Sequence, residues 1–448
     1  MPQTLDEWLG HLTRQHPLGI ELGLERVAEV GKRLGLEARL LAKHVISVAG
    51  TNGKGSTVAM LDSLARSHGL TTATYTSPHL LRYNERLCFD GVEATDATLI
   101  KGFAAVETAR LTPTAICLTY FEMGTLAALH AIAARPPDLA ILEVGLGGRL
   151  DAVNVIDADL AVVTTVAQDH ADFLGSDLEV IGWEKAGIMR AGHPVVLGSP
   201  ALPASVAQTA TRLGAPHYTL GREFKVSSSS AAKDHLIAAS SSWNWQGTSA
   251  QGEALSLDNL PDPGLPLNNA ASALQALALI GLELTPDACR QGLSQARLAG
   301  RMQWRDNWCL DVGHNPHAAQ YLATRLAARP CRGRRICLLG MLEDKDAAGV
   351  IAALTPVIDA WLPVSLEGER GRPAESLAVL LEARDQRILR LAESPRVGAD
   401  WLAQHLSGTD EVLVCGSFYT VAEVLAGWQA AESEEPICRG EENEIRNA

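Results

Sequence analysis

The chain has 448 residues, 47% of them hydrophobic, and its 38 Lys and Arg against 52 Asp and Glu leave a formal net charge of -14. Because single hydrophobic cores rarely grow beyond about 250–300 residues, this length predicts at least two domains. The negative charge opposes attraction to nucleic-acid phosphates, so we expect no nucleic-acid partner, and any anionic ligand needs a local cluster of cations and backbone N–H groups.

The cysteines and the N-terminal segment bear on the compartment. The eight cysteines are scattered, without a C-x-x-C pair or the His spacing of a zinc site, and predict reduced thiols. The first residues lack the basic start and apolar run of a signal peptide, and no stretch reaches about 18 apolar residues. The sequence therefore predicts a cytoplasmic protein without a membrane partner.

The first clear strand-loop-helix unit lies at residues 44–69. A buried strand, HVISVA, is followed by a glycine-rich turn and an amphipathic helix that ends in glycine. Helical segments such as Tyr120–Ala133 and Leu178–Met189 separate further apolar runs, which predict strands at Thr72–Thr76, Leu139–Val144, Leu160–Val166 and Pro194–Leu197. This alternation predicts a largely parallel sheet with helices on both faces.

The chain changes character at residues 221–262, where serine clusters and tryptophans predict a small antiparallel sheet. A helix is predicted at Asn268–Leu282, and a second series of strands follows at Trp308–Val312, Arg335–Gly340, Ala360–Val364 and Glu411–Gly416. We therefore predict domains at residues 1–298 and 299–432, with a polar tail at 433–448.

The segment GTNGKGST, residues 50–57, joins the first strand to its helix. Glycines let backbone N–H groups approach phosphate, and the helix N-terminus adds positive potential. Lys54 is expected to reach the β- and γ-phosphates of ATP, and the hydroxyl of Ser56 or Thr57 to bind Mg²⁺. A turn used only for tight packing is the alternative. The usual G-K-[ST] triplet is interrupted by Gly55, and the absence of G-x-G-x-x-G disfavours a Rossmann oxidoreductase.

The loop GTNGKGS is similar to the nucleotide loop of the Mur ligase superfamily, most closely in its dihydrofolate synthase and folylpolyglutamate synthase branch. The resemblance extends over nearly the whole chain and in the same order, through LGLERV at 22–27, TSPHL at 76–80, EVGLGGRLD at 143–151, DH at 169–170, EKAGI at 184–188 and DVGHNPH at 311–317. It implies a two-domain α/β architecture: an N-terminal P-loop ATPase domain with a mostly parallel sheet plus a small antiparallel sheet, and a Rossmann-like C-terminal domain.

A candidate magnesium ligand, Glu143, lies near the end of the apolar strand ILEV, at the sheet edge where ligands of open α/β folds bind. A salt-bridged strand end is the alternative. The resemblance implies two Mg²⁺ ions, the first bound by Ser56 and Glu143 and the second by Ser77, Glu143 and His170. It also implies that Lys185 is carbamylated and helps to hold the second ion, where the residues alone favour a solvated or ion-paired lysine.

The resemblance implies further contacts. The nucleotide positions are Gly53, Lys54, Gly55, Ser56, Asn269, Arg301 and Asp311, and the catalytic set is Lys54, His170, Lys185 and Arg301. The pterin contacts are Glu21, Leu22, Gly23, Thr119, Tyr120, Phe121, Glu122, Leu150, Asp151 and Ala152. An aromatic ring beside carboxylates suits a flat heterocycle rich in N–H donors, although Tyr120 and Phe121 fit the core of the following helix equally well. Arg82 or Arg86 could meet an anionic group, and His314 either approaches the nucleotide or is a turn residue.

The implied activity is an ATP-dependent ligase that joins L-glutamate to dihydropteroate and to reduced folates such as tetrahydrofolate, through an acyl phosphate. A monofunctional folylpolyglutamate synthase, another Mur-type amino-acid ligase and a P-loop switch protein are the alternatives. The last of these leaves Glu143, His170 and Lys185 without a joint task. The implied cofactors are ATP and Mg²⁺ at two sites, while a monovalent cation stays open. A ligase of this kind can work as a monomer.

Overall fold

The computed structural model describes residues 1–15, 21–169, 171–228, 242–368 and 370–434. The chain forms two compact units, Met1–Leu298 and Ala299–Ala448. Most of the predicted polar tail, from residue 435 onward, lies outside the described residues. No described helix is both long and apolar enough to span a membrane.

The first unit is built on an eight-stranded sheet. Its strands are β1 His44–Ala49, β2 Thr72–Tyr75, β3 Leu87–Phe89, β4 Val92–Glu93, β5 Leu139–Glu143, β6 Leu160–Val163, β7 Val195–Leu197 and β8 His217–Thr219. They stand in the order β4-β3-β2-β5-β1-β6-β7-β8. The six neighbouring strands β2-β5-β1-β6-β7-β8 pair in parallel, whereas β3 and β4 form an antiparallel edge. β1, which carries the phosphate loop, therefore lies inside the sheet.

Helices cover both faces of this sheet. They are α1 Leu5–Gln15, α2 Glu25–Arg33, α3 Ala38–Leu41, α4 Lys54–Ser67, α5 Asp96–Leu111, α6 Tyr120–Ala134, α7 Ala171–Leu174, α8 Leu178–Ala186, α9 Ala204–Arg212, α10 Leu267–Leu279 and α11 Pro286–Gln295. Alternate residues of a strand face opposite sides. Ala140 and Leu142 of β5 accordingly join one hydrophobic core, while Leu139 and Ile141 join the other. Burial on both faces explains why this strand is apolar throughout.

A three-stranded antiparallel sheet completes the first unit, with β9 Lys225–Ser228, β10 Trp243–Thr248 and β11 Ala254–Leu260 in the order β11-β10-β9. Trp243 and Trp245 are buried in the core cluster that also contains much of α10. The buried amide of Gln275 accepts from the Thr248 N–H at 3.1 Å and donates to the Thr248 carbonyl at 2.7 Å. These two bonds fasten α10 to the small sheet.

The second unit contains a five-stranded sheet, with β12 Gln303–Arg305, β13 Trp308–Asp311, β14 Arg335–Leu339, β15 Ala360–Pro363 and β16 Glu411–Cys415. The order is β12-β13-β16-β14-β15, parallel except for β12 at the edge. Its helices are α12 Pro316–Ala327, α13 Ala347–Leu354, α14 Ala374–Glu382, α15 Pro395–His405 and α16 Phe418–Glu434. The predicted fold class, including the small antiparallel sheet and the second α/β unit, is confirmed.

Helices α5 and α6 pack so closely that a glycine is required between them. A Cβ at Gly102 would lie 2.7 Å from the Ala127 carbonyl oxygen, whereas one at Gly10 of α1 would meet only the flexible end of Arg14, at 3.5 Å. We predict that Gly102→Ala lowers the free energy of unfolding by about 1–3 kcal/mol, because backbone must shift. Gly10→Ala should raise it by about 0.5–1 kcal/mol, because alanine restricts the unfolded chain and favours the helix. Thermal unfolding midpoints that moved in the same direction would contradict this contrast.

Candidate active site

The phosphate loop closes tightly against α10. Gly53, which precedes α4, has φ +85°, a left-handed conformation that favours glycine, and a Cβ there would lie 2.6 Å from Asn269 Nδ2. The same Asn269 nitrogen donates to the Gly53 carbonyl oxygen at 3.3 Å. Lys54 Nζ donates to the carbonyl oxygens of Gly50 at 3.0 Å and Thr51 at 3.4 Å. The lysine ammonium thus lies across the loop, at the N-terminus of a 14-residue helix.

The two candidate hydroxyls at the start of α4 differ in their surroundings. The Thr57 hydroxyl is fully buried and donates to the Gly53 carbonyl oxygen at 2.9 Å, which ties it to the backbone of its own helix. Ser56 is 3% exposed and adjoins Gly55, where a Cβ would lie 3.7 Å from the carboxylate oxygen Glu143 Oε2. Of the two hydroxyls, Ser56 is therefore the better candidate for a metal ligand.

Glu143 lies against this loop because of the strand register. β1 and β5 pair in parallel with Val48 opposite Glu143, which puts the carboxylate beside the start of the loop. It is 5% exposed, and a Cβ at Gly55 would lie 3.7 Å from Glu143 Oε2. Ser77, which follows β2, donates its backbone N–H to the same oxygen at 3.4 Å. The fold therefore brings the predicted ligands Glu143 and Ser77 together beside the Ser56 turn.

These donors suit magnesium in chemistry, since Mg²⁺ prefers oxygen ligands and keeps several waters of its own. Among the described residues, no group of three or more His, Cys, Asp and Glu is arranged to hold a metal ion. The predicted set contains only one such carboxylate within these ranges and otherwise uses hydroxyls and a modified lysine. His170 lies outside the described residues, so its place in the set stays a prediction.

Lys185 is buried in the last turn of α8, with 4% of its surface exposed. Burial lowers the pKa of Lys185 to about 7, and the charge of Lys54 lowers it further, while Asp169 and Asp151 oppose the shift. The solvated lysine that the residues alone allowed is therefore wrong, while the ion-paired alternative stays open because Asp169 and Asp151 act on Lys185. An amine with a pKa near 7 is partly uncharged at neutral pH, and only that form reacts with CO₂. Carbamylation itself stays a prediction.

The three predicted pterin segments, distant in sequence, meet in the first unit. The Gly23 N–H donates to the Leu150 carbonyl oxygen at 3.3 Å, which joins the first segment to the third. Arg26 donates to the Glu122 carboxylate at 2.9 Å and also pairs with Glu21, which joins the first segment to the second. Leu22 and Leu150 themselves are half-buried.

Thr119 and Glu122 cap the N-terminus of α6. The Glu122 N–H donates to the Thr119 hydroxyl at 3.2 Å, and the Thr119 N–H donates to Glu122 Oε2 at 2.7 Å, a reciprocal capping box. With Arg26 on the other oxygen, the Glu122 carboxylate is held on both sides. These two residues therefore fix the backbone of the segment.

The aromatic pair that follows lies at the margin of the core. Tyr120 and Phe121 are half-buried and pack against the hydrophobic cluster of α1, α5 and α6. A Cβ at Gly145 would lie 2.6 Å from Phe121 Cζ and 3.2 Å from Asp151 Oδ2, so that glycine separates ring from carboxylate. Phe121 and Asp151 thus lie on either side of Gly145, and their contact with a pterin stays a prediction.

Asp151 is almost wholly buried, with 2% exposed, and the adjoining Ala152 is also buried. Its carboxylate accepts from the N–H groups of Leu146 at 2.8 Å and Val153 at 3.0 Å. Burial raises the pKa of Asp151 to about 6, although these hydrogen bonds oppose the shift. A group that can both accept and, when protonated, donate near neutral pH is well matched to a heterocycle with adjacent donors and acceptors.

The arginines of the segment that follows β2 have different surroundings. Arg82 pairs with Glu93 at the surface. Arg86 is 8% exposed, donates from Nε to His79 Nδ1 at 2.8 Å, and lies over the rings of Tyr83 and Tyr120 at 5.1 and 5.7 Å. Arg86 is therefore the arginine that contacts a predicted pterin residue.

In the second unit, Asp311 ends β13 at the carboxyl edge of the sheet. It is 6% exposed and accepts from the N–H groups of Met302 at 2.9 Å and Gly313 at 2.7 Å. Burial raises the pKa of Asp311, and the charge of Arg301 opposes this. Arg301 and Asp311, ten residues apart in sequence, therefore interact.

One residue of this edge was missed by sequence reasoning. Phe418 begins α16, and the Arg301 guanidinium lies over its ring at 5.2 Å, while the His314 ring lies 6.4 Å from it. The available signal was its position three residues after the end of β16, whose carboxyl end lies beside that of β13. Phe418 thus supports both residues predicted near the nucleotide.

The raised pKa of Asp151 predicts that its carboxylate destabilises the fold by an amount that depends on pH. Its folded-state pKa of about 6 exceeds the ordinary value of 3.8, so stability falls as pH rises between these values and the full penalty persists above about pH 6. The free energy of unfolding of Asp151→Asn, measured by thermal unfolding, should therefore rise relative to that of the wild type by up to about 3 kcal/mol between pH 4 and pH 7.

Asp138→Asn supplies the control of opposite sign. Hydrogen bonds from Thr71 lower the pKa of Asp138, so its carboxylate stabilises the fold above pH 3.8 and that contribution is lost as pH falls. Between pH 4 and pH 7, Asp138→Asn should therefore stay less stable than the wild type by a nearly constant amount, while Asp151→Asn gains stability relative to the wild type as pH rises. Parallel curves would refute the assigned burial of Asp151.

Known proteins match the chain along most of its length. The Mur ligase middle domain matches residues 48–232, and the Mur ligase, glutamate ligase domain matches residues 300–418. A dihydrofolate synthase/folylpolyglutamate synthase of Escherichia coli is 44% identical over 424 residues, which cover 94% of this chain and 94% of that relative.

Solved structures agree. E. coli FolC in complex with DHPP and ADP is 42% identical, with a TM-score of 0.87, and the match covers 96% of this chain and 100% of that chain. A bifunctional folylpolyglutamate synthase/dihydrofolate synthase with Mn, AMPPNP and L-glutamate bound is 43% identical, with a TM-score of 0.84 and coverage of 95% and 98%. The chain therefore belongs to the Mur ligase family, in its dihydrofolate synthase/folylpolyglutamate synthase branch.

Proposed function

We propose that this protein is an ATP-dependent ligase that adds L-glutamate to dihydropteroate, forming dihydrofolate, and to tetrahydrofolate, forming folylpolyglutamate. ATP and a divalent cation are its cofactors, as the ADP, AMPPNP and Mn in the related structures support. Residues 1–298 would form the ATP- and pterin-binding domain and residues 299–432 the ligase domain. A monomer in the cytoplasm is part of the proposal.

One observation carries this proposal: the pterin segments converge in the same unit as the phosphate loop. The Gly23–Leu150 hydrogen bond joins the first segment to the third, and Gly145 packs against both Phe121 and Asp151, so that three distant segments come together. A nucleotide-dependent switch would have no use for this convergence.

The nucleotide contacts are proposed at Gly53, Lys54, Gly55, Ser56 and Asn269 of the first unit and at Arg301 and Asp311 of the second. In the first step, the substrate carboxylate attacks the γ-phosphorus of ATP, the bond to ADP breaks, and an acyl phosphate forms. Lys54 and Arg301 donate to the oxygens on which negative charge is carried. Two divalent cations, the first held by Ser56 and Glu143 and the second by Ser77, Glu143, His170 and the carbamate of Lys185, would supply charge that lowers the repulsion between carboxylate and ATP.

In the second step, the glutamate α-amine attacks the acyl carbon, loses a proton, and the tetrahedral intermediate expels phosphate. The product is an amide. Phosphorylation is needed because oxide is too poor a leaving group for a free carboxylate to react. With tetrahydrofolate the same steps extend a γ-linked glutamate chain.

The direct test is ADP release by the purified protein with Mg-ATP and L-glutamate, using dihydropteroate, tetrahydrofolate or no acceptor, with mass spectrometry of the products. We expect one added glutamyl unit on both acceptors. A gain on tetrahydrofolate alone would indicate a monofunctional folylpolyglutamate synthase. A gain on neither would refute the proposal and direct attention to other Mur-type substrates, such as UDP-linked muramyl precursors.

Lys54→Ala should abolish ligation, because the loop loses the ammonium that neutralises the phosphates. We expect a fall in kcat/KM of at least about 100-fold, by analogy with the loss of a preorganised charge donor. Lys101→Ala, which removes an exposed lysine of the same unit, is the matched control and should retain activity. Near-normal turnover by the Lys54 variant would sink the phosphate-loop assignment.

Lys185→Ala should lose ligation that added formate or acetate partly restores, since a short carboxylate can replace the oxygens of the implied carbamate. The control is Lys54→Ala in the same buffers, where the missing group is a cation and carboxylate should not help. Equal responses of the two variants would remove the support for a carbamate at Lys185.

A further inference from the structure

The glycine loop, defined here as residues 145–151, rests directly on the end of α8. A Cβ at Gly148 would lie 2.8 Å from the Glu184 carbonyl oxygen and 3.1 Å from Lys185 Cα. From the other side, a Cβ at Gly187 would lie 2.3 Å from Arg149 Cβ. Distances this short exclude a side chain at either glycine unless backbone moves. The segment that carries Asp151 is thus in backbone contact with the segment that carries Lys185.

Asn154 joins these two segments through its side-chain amide. Nδ2 donates to the Arg149 carbonyl oxygen at 3.0 Å and to the Gly187 carbonyl oxygen at 3.0 Å. Oδ1 accepts from Arg190 Nη2 at 3.0 Å, beyond the end of α8. Asn154 is 7% exposed, and both of its amide N–H donors have partners. Its backbone N–H also donates to the Asp151 carbonyl oxygen at 2.9 Å, which fixes its distance from that residue.

Arg149 makes a second connection between the same segments. Its N–H donates to the Glu184 carbonyl oxygen at 2.8 Å, and its guanidinium donates to the Glu184 carboxylate at 2.8 Å. The guanidinium also lies over the ring of Trp183 at 4.6 Å. Trp183 and Glu184, which the Arg149 side chain contacts, are the two residues immediately before Lys185 in α8.

We propose that Asn154 is a positioning residue of the ligase, which holds the backbone of Lys185 in register with that of Asp151. It touches neither substrate nor nucleotide in this scheme and acts through these two residues, with Arg149 as its partner. The inference rests on the proposed function, in which Asp151 contacts the pterin and Lys185 belongs to the metal side of the site.

The physical consequence is that the segment carrying Asp151, which contacts the pterin in this scheme, and the segment carrying Lys185, which belongs to the metal site, move as one body. A reaction between a bound carboxylate and a phosphate tolerates little misplacement, since an error of about 1 Å can cost about 100-fold in rate. The two hydrogen bonds that the buried Asn154 amide donates, one to each segment, restrict such errors. ATP binding should be largely indifferent, because the Asn154 amide contacts no residue of the phosphate loop.

The test compares Asn154→Ala, Asn154→Asp and Gln275→Ala. Aspartate keeps the size of asparagine and an acceptor toward Arg190, but it cannot donate to the carbonyls of Arg149 and Gly187. Gln275→Ala removes another buried amide that fastens two elements of the same unit, without contacting the predicted pterin or metal residues. It therefore reports what lost packing and stability alone do to activity.

We expect Asn154→Ala and Asn154→Asp each to lower kcat by about 10–100-fold, the range for residues that orient ligands of a site. KM for dihydropteroate should rise while KM for ATP stays within twofold, and Gln275→Ala should leave both KM values within twofold. In hydrogen exchange, segments 145–151 and 184–190 should become less protected together in both Asn154 variants and not in Gln275→Ala.

Wild-type kinetics for Asn154→Asp, equal rises in both KM values, or unchanged exchange in the two segments would each overturn the proposal. If both Asn154 variants fail to fold, Arg149→Gln decides the question. The Arg149 side chain is 38% exposed, and the hydrogen bond from the backbone N–H of residue 149 to the Glu184 carbonyl oxygen remains in this variant. It should lower kcat with the same KM pattern, and wild-type kinetics would again overturn the proposal. Failure of the wild type to ligate would refute the proposed function, while the exchange comparison would still decide the coupling.

Discussion

The parallel register of β1 and β5 is the constraint on which the candidate site depends. Because Val48 stands opposite Glu143, a nearly buried carboxylate lies where the phosphate loop begins. An isolated charge in such a place would cost several kcal/mol in desolvation, so neighbours that donate hydrogen bonds or carry positive charge are required. The Ser77 N–H supplies one donor. The order β2-β5-β1 then brings the ends of three strands to one edge.

The charges of this edge lie close together inside a protein whose net charge is -14. Lys54 and Lys185 repel each other, and Asp151 and Asp169 offset part of that repulsion at Lys185. Burial raises the pKa of Asp151 and lowers that of Lys185, so burial favours the neutral form of each. Such opposed shifts are common at functional sites, where protonation states must change within a narrow pH range.

Sequence patterns predicted the central strands well because those strands are apolar on both faces. In β5, for example, Ala140 and Leu142 belong to one hydrophobic core, and Leu139 and Ile141 belong to the other. The edge strands β3, β4 and β12 are only two or three residues long and have no comparable pattern. The phosphate loop and Glu143 were predicted because local motifs mark them. Arg26, Asn154 and Phe418 were not, since each acts through partners that are distant in sequence or supplied by the fold.

The position of Lys54 has a consequence for how a nucleotide is recognised. Its ammonium already donates to the carbonyl oxygens of Gly50 and Thr51, so its side-chain rotamers are restricted and part of its hydration is removed beforehand. A phosphate oxygen that takes over from these neutral acceptors forms a charge-assisted bond without ordering a free side chain. Such preorganisation shifts the entropic cost of binding from the moment of association to the folding of the loop. Affinity for nucleotides would then respond to the rigidity of Gly50–Gly53 as well as to the lysine charge.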